Sequence, residues 1–175
     1  MTPENSCIRD ETPGDFAAIG AITAAAFAPL AISSHTEQFI VEALRAAGAL
    51  SVSLVAEVDG EVVGHVAFSP VSISDGSAGW YGLGPVSVRP DCQRRGIGKA
   101  LIKEGLARLS RLGAAGCCLV GHPDYYRQFG FANAPGLTVD DVPAEFVFAL
   151  AIAGSMPQGN VTFHEGFRAI GPSGL

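Results

Sequence analysis

Residues 93–99 read Gln-Arg-Arg-Gly-Ile-Gly-Lys, two glycines and three cations in seven positions. They follow an apolar stretch, Trp80–Val88, and open a long helix that starts near Ile97 and is stopped by Gly113. A turn in that position carries helical N–H groups that have no intrahelical acceptor, at the positive end of the helix dipole. Gly96 and Gly98 lack a Cβ, so an anion can come close to the backbone. The chemistry this supports is the binding of a phosphate group, with Arg94, Arg95 and Lys99 adding charge beside it.

The charge balance points the same way. The chain carries a net charge of −6. Residues 89–111 hold seven cations against Asp91 and Glu104, a window of +5 that leaves −11 for the rest. An acidic protein with its cations gathered at one helix start fits a small polyanion; a nucleic-acid binder would carry a broader basic face. Two phosphate motifs fail on residue identity. A P-loop would need glycine at Gln93 and a hydroxyl at Ala100. A dinucleotide fingerprint would need glycine at Leu101.

The elements that must position this turn alternate in type. Thr12-Pro13-Gly14-Asp15 begins a helix running to about Phe27, and Ser34 with Glu37 opens a second that ends near Gly48. Val52–Val58 and Glu61–Val71 are strands joined by Asp59-Gly60, a preferred hairpin turn. Gly116–Gly121 is a further strand and Asp124–Phe129 a short helical turn. Phe146–Ile152 and Val161–Phe163 are tail strands, read as core or dimer surface. Met1–Glu11 is polar and acidic, without the basic-then-apolar pattern of a signal peptide, and no apolar run of about 18 residues exists. Cys7, Cys92, Cys117 and Cys118 lack zinc spacing, so no metal is expected and reduced thiols in the cytoplasm are. The pattern describes one α/β domain over residues 1–175 around a mixed sheet.

Gln93-Arg94-Arg95-Gly96-Ile97-Gly98 is a Q-x-x-G-x-G directly after a strand, and Tyr126-Arg127-Gln128-Phe129-Gly130-Phe131 is a Y-x-x-x-G-F downstream. On these two motifs the chain resembles the GNAT superfamily of acyl-CoA-dependent N-acetyltransferases, most of all over residues 7–152. The runs Leu83–Val88 and Gly121–Phe131 are similar to its YhbS-type members. The resemblance implies a single-domain mixed sheet flanked by helices, with a splayed parallel strand pair admitting the acyl-CoA and residues 153–175 completing the sheet. It implies acetyl-CoA as cosubstrate, its diphosphate on Arg94, Arg95, Gly96, Ile97, Gly98 and Lys99. The backbones of Val86 and Val88 would meet the pantetheine, with an N–H near Val86 or Ser87 facing the thioester carbonyl.

Tyr126 is the implied general acid, since a departing thiolate needs a proton and a phenol can supply one. Tyr125 is read as packing. Leu119 stands where many relatives carry an asparagine, and Trp80–Val88 holds no carboxylate where relatives often place a base. Glu57 or His122, followed by His65 and Asp124, are the substitutes for that base. The expected activity is acetyl transfer by direct attack of a primary amine, small or on a protein, by a protein with no membrane or nucleic-acid partner and a homodimer as the assembly considered. The alternative is an acyl-CoA-binding module without catalysis.

Overall fold

The computed structural model describes residue 3 and residues 5–172. Its elements run β1 (Ser6–Asp10), α1 (Phe16–Phe27), α2 (Glu37–Ala46), β2 (Val52–Val58), β3 (Glu61–Ile73), β4 (Trp80–Val88) and α3 (Ile97–Arg111). They continue with β5 (Gly116–Val120), α4 (Pro123–Tyr126), β6 (Ala132–Asn133), β7 (Leu137–Thr138), β8 (Val147–Ala151) and β9 (Gly159–Phe163). The expected span of 1–175 also includes residues 1, 2, 4 and 173–175, which lie outside the described residues.

The hairpin between β2 and β3 forms because Asp59 and Gly60 both take positive φ, 51° and 82°, matching the twist of the flanking strands. The sheet extends from it in the order β1-β2-β3-β4-β5-β8-β6. Only β4 and β5 among these neighbours run parallel. The last three residues of β3 leave this path and pair with β9, which also pairs with β7. Val147, Phe148, Ala149 and Val161 are buried within the chain, so the tail strands are core.

Strand alternation sorts the side chains onto two helical layers. Leu54, Val66 and Phe68 face α3, where Leu101, Ile102 and Leu109 complete the main core. On the other face Val55 meets Ile19 of α1 and Val41 of α2. Phe68 packs directly against Gly105: a Cβ built there would stand 2.1 Å from the ring's Cε2. Alanine in an open helix is more favourable than glycine by about 1 kcal/mol. Here the added methyl has nowhere to go, and overpacking costs about 1–3 kcal/mol. Gly105→Ala is therefore expected to lower the melting temperature by roughly 5 °C; calorimetry showing a rise would mean that Phe68 has room to move.

Two local expectations change. Ser34 does not cap α2: Thr36 is the cap residue, and the Ser33 hydroxyl donates to Glu37 at 2.6 Å. The polar N-terminal segment contains β1, paired antiparallel with β2. Beyond this ladder and Ile8 against the main core, it is fastened by Arg9, whose guanidinium donates to Asp15 at 2.7 and 3.0 Å and to Glu57 at 3.0 and 3.1 Å. The same guanidinium holds the Asp15 carboxyl far below the usual carboxylate range.

Candidate active site

The parallel pair separates almost as soon as it forms. Trp80, Tyr81 and Gly82 pair with Gly116, Cys117 and Cys118, and beyond Gly82 no β5 residue is in register with β4. Two features of β4 drive this. One extra residue bulges between Leu83, opposite Phe68, and Val86, opposite Val66. Pro85 within the bulge has no N–H to give to a neighbour. Meanwhile β5 stays bound to β8 up to Val120. The result is a cleft of about 620 Å³, floored by Val86, Ser87 and Val88.

One end of the cleft is the start of α3. Arg94 and Gly96 both lie in the left-handed region, φ 63° and 79°. Gly96 is the N-cap residue and supplies no side-chain cap, so the first-turn N–H groups stay open to a ligand. Gln93 ties this turn to the floor by donating from its side-chain amide to the Val88 carbonyl at 3.0 Å. The cations divide into two sets. Arg89 is bound to Glu61 and Asp91, Arg108 to Glu104 and Asp10, and Arg111 to Glu104. Among the described residues Arg94, Arg95 and Lys99 form no ion pair. Lys103, one turn further along α3, is exposed and likewise forms none, so the uncompensated charge of the segment lies on the turn and on the helical turn that follows it.

The other wall comes from α4. Tyr126 packs edge-on against Phe131, with ring centroids 6.3 Å apart, and its ring backs onto Gly121, where a Cβ would lie 2.5 Å from Cε2. Burial, with a smaller contribution from Tyr125, pushes its phenol up to about 12. The hydroxyl has no protein hydrogen-bond partner among the described residues. The end of α1 and the residues after it close the cleft with Ala26, Phe27, Pro29 and Leu30.

Eight of the nine expected cosubstrate contacts line this cleft, together with Tyr126; Arg95 is exposed outside it. The Ser87 hydroxyl itself turns toward α1, 3.2 Å from that of Thr23. The expected bases are not brought in. Glu57 is held by Arg9 at the β1–β2 edge, and His122 is exposed, its Nδ1 accepting from the Asp124 N–H at 3.4 Å. Buried His65 hydrogen-bonds Ser53 at 2.8 Å. Among the described residues no carboxylate or imidazole belongs to the cleft lining, and no group of three His, Cys, Asp or Glu is arranged to hold a metal ion. Leu119, at the vacant asparagine position, is buried in the main core. The α1 wall and the position of Tyr125 leave no signal in the sequence. No local motif marks the former, and the latter depends on how α4 sits over α3.

Comparison with known proteins agrees with this geometry. Residues 49–133 match the model of the acetyltransferase (GNAT) domain. The uncharacterized N-acetyltransferase YhbS of Escherichia coli K12 is 37% identical over 128 residues, 73% of this chain and 74% of that protein. The crystal structure of a GNAT family acetyltransferase from Brucella melitensis, in complex with acetyl-CoA, is 51% identical. It superposes with a TM-score of 0.84 over 94% of this chain and 99% of its own. YhbS from Escherichia coli in complex with CoA is 31% identical, with a TM-score of 0.86 over 100% of this chain and 99% of its own. Sequence and fold thus agree over the segment that builds the cleft, and the chain belongs to the GNAT acetyltransferase family.

Proposed function

We propose that this protein transfers the acetyl group of acetyl-CoA to a primary amine by direct attack, without an acyl-enzyme. The observation that carries the reading is a β4 edge left unpaired between an uncapped, uncompensated helix start and a largely buried phenol. The donor set suits a diphosphate, and the acetyl-CoA complex of the relative from Brucella melitensis supports the choice of cosubstrate. Arg94, Gly96, Ile97, Gly98 and Lys99 would hold the diphosphate, mainly through backbone N–H groups, with Arg95 adding charge from outside. Val86 and Val88 would meet the pantetheine as a neighbouring strand does.

Acetyl-CoA supplies an activated thioester. A backbone N–H near Val86 or Ser87 would polarise its carbonyl, a contribution worth about 3 kcal/mol in other enzymes. As the amine nitrogen bonds to the carbonyl carbon and the C–S bond breaks, Tyr126 would give its proton to sulfur. The surplus proton on nitrogen passes to water, because among the described residues no carboxylate or imidazole lines the cleft to take it. The compartment in this reading is the cytoplasm, since all four cysteines are free thiols, the state a reducing environment maintains. Among the described residues no helix is long and apolar enough to cross a membrane.

The test is thermal unfolding with acetyl-CoA, CoA, ATP and NAD in parallel. A ligand at 100 times its dissociation constant stabilises by about 2.7 kcal/mol, or roughly 5–10 °C here. The shift is expected with acetyl-CoA and CoA and not with NAD; a flat response to saturating CoA would sink the proposal. A second reading, an acyl-CoA-binding module without turnover, is favoured by the missing base. Thiol release over a panel of amines decides between the two.

A further inference from the structure

Tyr125 does more than pack. It is the third residue of α4, on the wall opposite the start of α3, yet its hydroxyl reaches across. A Cβ built on Gly98 would lie 3.3 Å from the Tyr125 Oη and 3.6 Å from a Val88 methyl. The phenol tip is therefore seated on a residue of the first turn that has no side chain. Gly98 is glycine for that room, since its backbone does not lie at positive φ.

The ring is aimed by its neighbours. It meets Tyr126 edge-on at 5.0 Å and 84°, and Phe129 at 5.6 Å and 71°. Its backbone is fixed from the other side, where the Gln128 side-chain amide donates to the Tyr125 carbonyl at 2.8 Å. Partial burial raises the phenol above its ordinary value, which keeps it a neutral donor. The hydroxyl has no protein acceptor among the described residues, although it stands beside the open N–H groups of the first turn.

We propose that Tyr125 is a cosubstrate-binding residue, its hydroxyl donating to a phosphoryl oxygen held at the start of α3 and so clamping the diphosphate between the two walls. The inference rests on the acetyl-CoA reading above and gives the paired tyrosines different work. Tyr126, deeper in the cleft, serves the sulfur, and Tyr125, over Gly98, serves the diphosphate. A hydrogen bond to a charged oxygen is among the stronger ones, so its loss is visible in affinity.

The test compares CoA with pantetheine, which lacks the diphosphate, on wild type and Tyr125→Phe. The phenylalanine keeps the ring and removes only the hydroxyl, and an unchanged melting temperature without ligand verifies the fold. Calorimetry is expected to show CoA affinity falling about tenfold. Millimolar pantetheine should give the same thermal shift with both proteins. Equal CoA affinity for the two proteins would overturn the clamp. Equal loss for CoA and pantetheine would also overturn it, because the ring would then be acting by packing. If wild type itself binds no CoA, the acetyl-CoA reading falls first and takes the clamp with it.

Discussion

Tyr126→Phe is expected to lower turnover of acetyl-CoA by about 10²-fold, with CoA affinity held within about twofold. The ring stays, so its contacts with Tyr125, Phe131 and Gly121 are kept. What is lost is the proton for the leaving sulfur. General acids contribute about 10²–10⁴-fold, and a thiolate leaves more easily than an alkoxide, which favours the lower end. The pH profile sharpens the test. Burial pushes the phenol up to about 12, so it is protonated, and competent as an acid, through the whole working range. The same desolvation acts on a thiolate released against it, which narrows the gap between donor and acceptor. Turnover should therefore show no alkaline fall below about pH 11. Its acid limb should follow the pKa of the amine supplied, since among the described residues no carboxylate or imidazole lines the cleft. Turnover unchanged in the phenylalanine variant would remove Tyr126 from the chemistry. An acid limb that stays fixed across amines of different basicity would reveal a base in the protein.

The parts of this site that were legible in the sequence are those whose role is local. Gly96 and Gly98 had to follow a strand and open a helix, and Asp59-Gly60 had to turn a hairpin, because these requirements involve only neighbouring residues. The long strand β3 and the helix α3 were readable for the same reason. What stayed hidden depends on distant partners. Nothing in Ser6–Asp10 announces a strand, because β1 is held by Arg9 reaching Glu57, 48 residues away. Glu57 looked available as a base for the converse reason: its guanidinium partner comes from a strand not visible in the pattern. The sequence suggests only packing for Tyr125, because the space over Gly98 exists only after α4 folds across the cleft. The Ala26–Leu30 wall carries no motif at all.

Between pH 7.5 and 4.5 the protein is expected to lose about 2.5 kcal/mol of stability through His65 alone. This side chain is fully buried on β3, opposite Ser87 of the cleft floor and Val55 of β2. Its Nε2 shares a hydrogen with Ser53 and stands 4.0 Å from a Glu11 oxygen, while Arg45 grips Glu11 at 2.7 and 3.0 Å. Burial, partly opposed by Glu11 and reinforced by Arg45, holds the imidazole down at about 4. In the unfolded chain the ring takes a proton near 6.5, so between these values the unfolded state binds more protons and stability falls as the pH falls. Carboxylates also begin to titrate toward pH 4, which is why the comparison must be with a variant. His65→Gln keeps a partner for Ser53 and cannot titrate. Urea unfolding of both proteins at the two pH values should show most of the wild-type loss absent from the variant; equal losses would mean that the ring is protonated in the folded state. Protonation would put a charge on β3 beside Ser53 of β2, one strand from the Ser87–Thr23 contact that joins the floor to α1. Acid therefore acts on the strand paired with the cleft floor, and CoA binding should be lost as folding is.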